Sequence, residues 1–294
     1  MANKFRVGSL GFLVVGLLLL NSCSINRMAV NRAADMFSEA SVTFNEEADW
    51  GFARDAIPAN LKMMEGMLKV SPDNKTFQSM LAQGYCSYAF GFLEDSGSPS
   101  DIERAKGLYM RGYSFGMAAL PEKVRTYAQG NLEEFQKAVS TLEGDDIPRL
   151  FWASYCLGGW VNLNKSDIGA VADLSRTEVM MHRVLDVNEN FYYGGVHLFY
   201  GVYYGARPRM LGGDPKKAKE HFEHAAKISQ GKLLMAKLYL AQFYAVPTQD
   251  EELFEKTLKD VIDAPVDLMP AERLANQIAK RRATKLLATK KDLF

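Results

Sequence analysis

The chain has 294 residues, with 35 Lys and Arg balanced against 35 Asp and Glu. A neutral balance excludes the basic surplus that makes nucleic acid a main partner. The length allows one large domain or a helical array.

The N-terminus reads as a secretory signal. Lys4 and Arg6 form a basic start, and Val7 to Leu20 is an uncharged apolar run. A membrane-spanning helix needs about 20 apolar residues, and this run is shorter. The segment Leu20-Asn21-Ser22-Cys23 resembles the lipobox of bacterial lipoprotein precursors. That resemblance implies cleavage before Cys23, a diacylglycerol thioether on its sulfur, and N-acylation. A cysteine suits the attachment because its thiolate is nucleophilic near neutral pH. Several acyl chains anchor stably where one binds only marginally. Ser24, rather than an aspartate, follows the cysteine, which by resemblance to known sorting rules implies the outer membrane, with the protein facing the periplasm. The expected organisation is residues 1–22 as signal peptide, 23–45 as lipidated tether, and 46–294 as one helical domain. Without Lys4 and Arg6 the mature chain is slightly acidic.

Beyond the tether the apolar residues recur three and four apart, which predicts amphipathic helices, and strand-like alternation is missing. Turn-forming clusters divide the helices at Ser71–Asn74, Glu94–Asp101, Glu143–Pro148, Val187–Asn190, Leu211–Pro215 and Asp263–Pro270. Leu81-Ala82 with Tyr85, and Leu240-Ala241 with Tyr244, fit the first helix of a tetratricopeptide repeat. Ala105 with Tyr109, and Ala218 with Phe222, fit the second. The predicted fold is all-α: an irregular tetratricopeptide-like solenoid of about four helix pairs, whose stacking buries a continuous core and leaves a concave face. Cys86 and Cys156 lie in apolar helical runs. The compartment permits a disulfide, but no spacing argument brings them together, so the expectation is two buried thiols.

Leu150–Leu163 places Trp152, Cys156 and Gly159 on one side of a helix, which favours a core role for Trp152. Phe191–Arg209 is the richest segment. On one continuous helix, Gly194, Gly201 and Gly205 form a smooth stripe, and Val196, Phe199 and Tyr203 an apolar one. Tyr193, His197, Tyr200 and Tyr204 form a third, extended by Arg207. Two readings stay open for that third face: a ligand wall with polar tips and a carboxylate-clamping arginine, or a buried aromatic core whose hydroxyls bond to backbone.

Leu211–Pro215 lacks the spacing of a phosphate loop. Asp214 is predicted to cap a helix that starts at Pro215 and buries Ala218, Phe222, Ala225 and Ala226. His221 and His224 on that helix have no third ligand nearby in sequence, so no metal and no cofactor are expected. No catalytic motif occurs that would mark an enzyme. The C-terminal helix turns Leu274, Ile278 and Leu286 to one side, and its Lys/Arg cluster reads as cations near a helix end.

Taken in order, Asp55–Asn74, Gly84–Phe92, Leu150–Asn164, Tyr192–Ala225 and Ala279–Phe294 resemble the T component of tripartite ATP-independent periplasmic (TRAP) transporters. Leu211–Pro215, ahead of the second-helix pattern, is the most specific part. The resemblance implies a lipid-anchored periplasmic helical protein that works beside a periplasmic solute-binding protein. It also implies a homotrimer with a pore or cavity in each protomer, holding a small organic acid or hydrophobic ligand. The other reading of the repeats is a scaffold for outer-membrane or envelope assembly.

Overall fold

The computed structural model describes residues 25–294, so the signal segment and Cys23 lie outside the described residues. Among the described residues the chain is all-α, without a strand, and no helix is long and apolar enough to cross a membrane. The first helical segment, α1, covers 25–40. The longer helices that follow are α2 (Trp50–Val70), α3 (Lys75–Tyr88), α4 (Pro99–Ala119), α5 (Asp146–Leu163) and α6 (Leu174–Asn188). Then come α7 (Phe191–Gly205), α8 (Pro215–Ile228), α9 (Met235–Leu240), α10 (Glu251–Ile262) and α11 (Arg273–Ala288).

Local chemistry sets where several helices start. The Asp49 carboxylate accepts from the Gly51 and Phe52 amides, Asn74 from Phe77, and Asp250 from Leu253. Each cap satisfies donors that an α-helix leaves free at its N-terminus. Asp214 does the same for Lys216 and Lys217, with Pro215 at the first helical position. Leu211–Pro215 is therefore the helix start its sequence predicts.

From α2 onward, each helix packs on the next in the chain, and α11 returns to pack on α2. The return has specific contacts. Arg273 donates to the Glu46 carbonyl, Arg281 lies over the Trp50 ring at 4.0 Å, and Arg282 donates to the Phe90 carbonyl and to Glu94. The basic residues of the last helix are thus contacts that close the array onto its first helices. They reach well beyond the helix-end role that their position suggests.

Cys86 of α3 and Cys156 of α5 form a disulfide, with their Cα atoms 5.4 Å apart. This corrects the expectation of two separate thiols. The reason is tertiary. A Cβ added at Gly112 of α4 would lie 2.2 Å from the Cys86 sulfur and 3.0 Å from the Cys156 sulfur. The missing side chain leaves the space in which the two sulfurs meet.

Helix α7 departs from the expected continuous helix at its head. Tyr192, Tyr193 and Gly194 have φ of 47°, 56° and 80°, all left-handed. A side-chain-bearing residue in that region costs on the order of 1–2 kcal/mol. The turn moves Tyr193 off the helical face that His197, Tyr200 and Tyr204 share.

Candidate ligand cavity

The helices line a cavity of about 850 Å³ that is open on one side to solvent-exposed residues such as Val171 and Leu211. Its walls come from helices far apart in sequence. Phe151, Trp152 and Tyr155 project from α5, Leu198, Phe199 and Tyr203 from α7, and Tyr239 and Ile278 from α9 and α11. The aromatic rings hold one another by edge contacts. Trp152 meets Phe151 at 5.1 Å and Tyr192 at 4.9 Å, both T-shaped. Such offset arrangements pair a ring edge with the negative face of its neighbour.

Two π-helical turns, Ala89–Leu93 and Ala241–Ala245, interrupt the regular hydrogen bonding near this space. A π turn carries an extra residue and re-aims the side chains on either side of it. Phe90 and Phe92 of the first turn line the cavity, and the Gly91 carbonyl accepts from the Trp50 indole at 3.1 Å.

The wall is mostly apolar, with polar residues such as Asn60, Gln83, Asn162 and Lys165 in it, and three polar features are held by specific contacts. The first is a neutralised cluster. Glu94 accepts from Arg282 at 2.8 Å and from the Tyr109 hydroxyl at 2.6 Å. Burial opposes charge on Arg282, but Glu94 and the neighbouring tyrosine oxygens outweigh it and raise its pKa. The second is Glu272, only 5% exposed, whose carboxylate accepts from the Tyr192 hydroxyl at 3.4 Å. Burial pushes its carboxyl up to about 7, against a small lowering by the Tyr192 hydroxyl. The third is Arg207. Its Nε donates to the Tyr203 carbonyl at 2.7 Å and its guanidinium lies 3.4 Å over the Tyr203 ring. Tyr203 is held in turn by its hydroxyl, which donates to Glu178 at 2.6 Å. Among the described residues no carboxylate pairs with Arg207.

A family profile described as TRAP transporter T-component matches residues 46–294. The chain belongs to the TRAP transporter T-component family. A curated relative, an uncharacterized protein of Treponema pallidum (strain Nichols), is 23% identical over 313 aligned positions, covering 96% of this chain and 96% of that protein. The family makes this protein a component of a periplasmic transport system.

In this T-component, the residues proposed from the sequence divide between two places. Arg207 lines the cavity. His197, Tyr200 and Tyr204 face α8 instead. His197 Nδ1 is 2.9 Å from His221 Nδ1, and the Tyr200 and Tyr204 rings stack on His221 at 5.3 and 5.8 Å. The Tyr200 hydroxyl is buried, with no hydrogen-bond partner among the described residues. Tyr193 lies in the left-handed turn. Burial first, and then the neighbouring histidines, drive His221 down to about 4, and burial also lowers His197.

The stripe of α7 that does reach the cavity is Leu198, Phe199, Val202 and Tyr203. Phe199 and Tyr203 are visible in the sequence as the apolar stripe beside the tyrosine face. Which stripe meets α8 follows from Gly201. A Cβ there would lie 2.2 Å from the Phe222 ring, so this side of α7 is the one that accepts close helix contact. Glu272 gave no sequence signal, because its proline-flanked turn reads as a surface loop. Trp152, expected in the core, is 5% exposed and also forms cavity wall.

Proposed function

We propose that this T-component is a non-enzymatic accessory lipoprotein of a TRAP transporter, anchored through Cys23 in the outer membrane and facing the periplasm. In this reading each protomer of a homotrimer holds a small organic acid with an apolar body and docks a periplasmic solute-binding protein. The observation that carries the ligand reading is the cavity of about 850 Å³ with aromatic walls, whose charged lining residues include Glu272 and Arg207. Pockets of about 300–1,000 Å³ with such walls suit small ligands whose orientation is fixed by a few polar contacts. Arg207, pinned through Nε and stacked on Tyr203, keeps its remaining N–H groups for a carboxylate.

Exposed apolar side chains support the docking reading. Ile168 is 88% exposed and Met210 is 89% exposed, and Val171 and Leu211, also exposed, line the cavity. An apolar rim at a cavity opening is suited to a partner that passes ligand across it.

Mass spectrometry of protein purified from its native envelope should recover both a carboxylate-bearing small molecule and a solute-binding protein. Leu198→Trp, which places an indole in the cavity, should remove the small molecule while the partner remains. A protein that carries no small molecule, with an envelope-assembly partner in place of the solute-binding protein, would turn the reading to the tetratricopeptide scaffold.

A further inference from the structure

Three of the four histidines of the chain come together outside the cavity, beside one carboxylate. Glu189 follows the end of α6, His197 lies on α7 just after the left-handed turn, and His224 is on α8. Glu189 Oε2 is 3.2 Å from His197 Nε2 and 3.6 Å from His224 Nε2. The ligand atoms of the three residues all lie within 4.8 Å of one another. Four ligands about 2.1 Å from a tetrahedral ion are about 3.4 Å apart, so the two distances to Glu189 are already those of a coordination shell.

The surroundings fit the same chemistry. His197 is 4% exposed, and its second nitrogen, Nδ1, meets His221 Nδ1 at 2.9 Å. A metal-bound imidazole usually passes its other N–H to an acceptor that fixes the ring's tautomer and orientation. His221 occupies that position, and the stacked Tyr200 and Tyr204 rings hold it. Glu189 and His224 are half-exposed, at 47% and 45% of their side-chain surface. They leave an approach from solvent, and the His224 ring lies against that of His197, with centroids 4.2 Å apart.

We propose that Glu189, His197 and His224 form a binding site for a divalent transition-metal ion of the Zn²⁺ class, with His221 as the orienting partner of His197. Two imidazoles and one carboxylate are a common protein donor set for zinc, with the fourth position left to water. The bound ion ties the α6–α7 corner to α8. That corner leads directly into Tyr192 and Gly195, both in the cavity wall, so the metal braces one side of the cavity from outside.

The test uses the purified full chain after EDTA dialysis, titrated with Zn²⁺ alone by calorimetry and with Co²⁺ alone by visible absorption. The expected result is one equivalent of Zn²⁺, with Co²⁺ giving the ligand-field bands of a nitrogen- and oxygen-bound ion. His224→Ala and Glu189→Gln, both at half-exposed positions, should abolish the stoichiometric site. His221→Ala should weaken it about ten- to hundredfold. His182→Ala should leave it intact, because His182 pairs with Asp186 away from the cluster. Circular dichroism of each variant confirms that the helices remain. The proposal is overturned if the wild-type chain takes up no stoichiometric Zn²⁺, or if His224→Ala binds as tightly as the wild type.

Discussion

The Tyr192 hydroxyl donates to Glu272 at 3.4 Å, joining the left-handed head of α7 to the turn that starts α11, 80 residues later. This contact crosses the cavity wall and, among the described residues, is the one hydrogen bond the Glu272 side chain receives. It places a protonatable carboxyl in an aromatic enclosure, and it has a measurable consequence.

Glu272 has a pKa of about 7 in the folded protein, above the about 4.3 of an unfolded glutamate. The folded state therefore holds this proton more tightly than the unfolded state does. The group's contribution is fully favourable below about pH 4.3 and declines as pH rises toward 7, by about 3 kcal/mol across the interval. Glu272→Gln should remove that segment of the pH profile in denaturant unfolding. Tyr192→Phe, which deletes the donor to the carboxylate, should move the upper end of the segment to higher pH.

The Cys86–Cys156 bridge closes a loop with a sequence separation of 70. Cross-linking a loop of that size restricts the unfolded chain by about 4 kcal/mol. Reduction, or Cys86→Ser with Cys156→Ser, should lower the midpoint of chemical unfolding accordingly. Gly112→Ala should be destabilising in the oxidised protein, because its Cβ would occupy the space of the Cys86 sulfur.

Arg282 and Glu94 are 17% and 10% exposed at their side chains. Removing one member of a buried pair strands the other charge, at about 3–5 kcal/mol. Arg282→Leu and Glu94→Gln should each lower stability strongly. The double variant should recover much of that loss, because neither charge is then left alone. A double-mutant cycle in urea measures the coupling directly.

Arg207→Ala should weaken binding of a carboxylate ligand by about ten- to hundredfold, the usual range for one charge-assisted hydrogen bond. Tyr204→Phe, on the opposite face of α7, should leave affinity unchanged while the stacking with His221 is kept. Calorimetry with the carboxylate recovered from native protein compares the two. Equal affinities in wild type and Arg207→Ala would remove the arginine from the site.

The helices and their starts are legible in the order of residues alone. Caps such as Asp214 and the three-and-four spacing of apolar residues act over a few positions, so their outcome is readable without knowing what lies next to them. The ordered segments also carried the family resemblance, which the match over residues 46–294 supports. Which face of a helix meets which neighbour is set by packing between distant segments. Gly201 let α8 approach one side of α7, which turned Phe199 and Tyr203 to the cavity and His197 to His221. Two left-handed tyrosines broke the face on which Tyr193 was expected. Closure of α11 onto α2 buried Glu272 and Arg282. Gly112 made room for the disulfide. Apart from that local left-handed turn, the partners are separated in the chain by more residues than any local pattern spans, so packing brings them together.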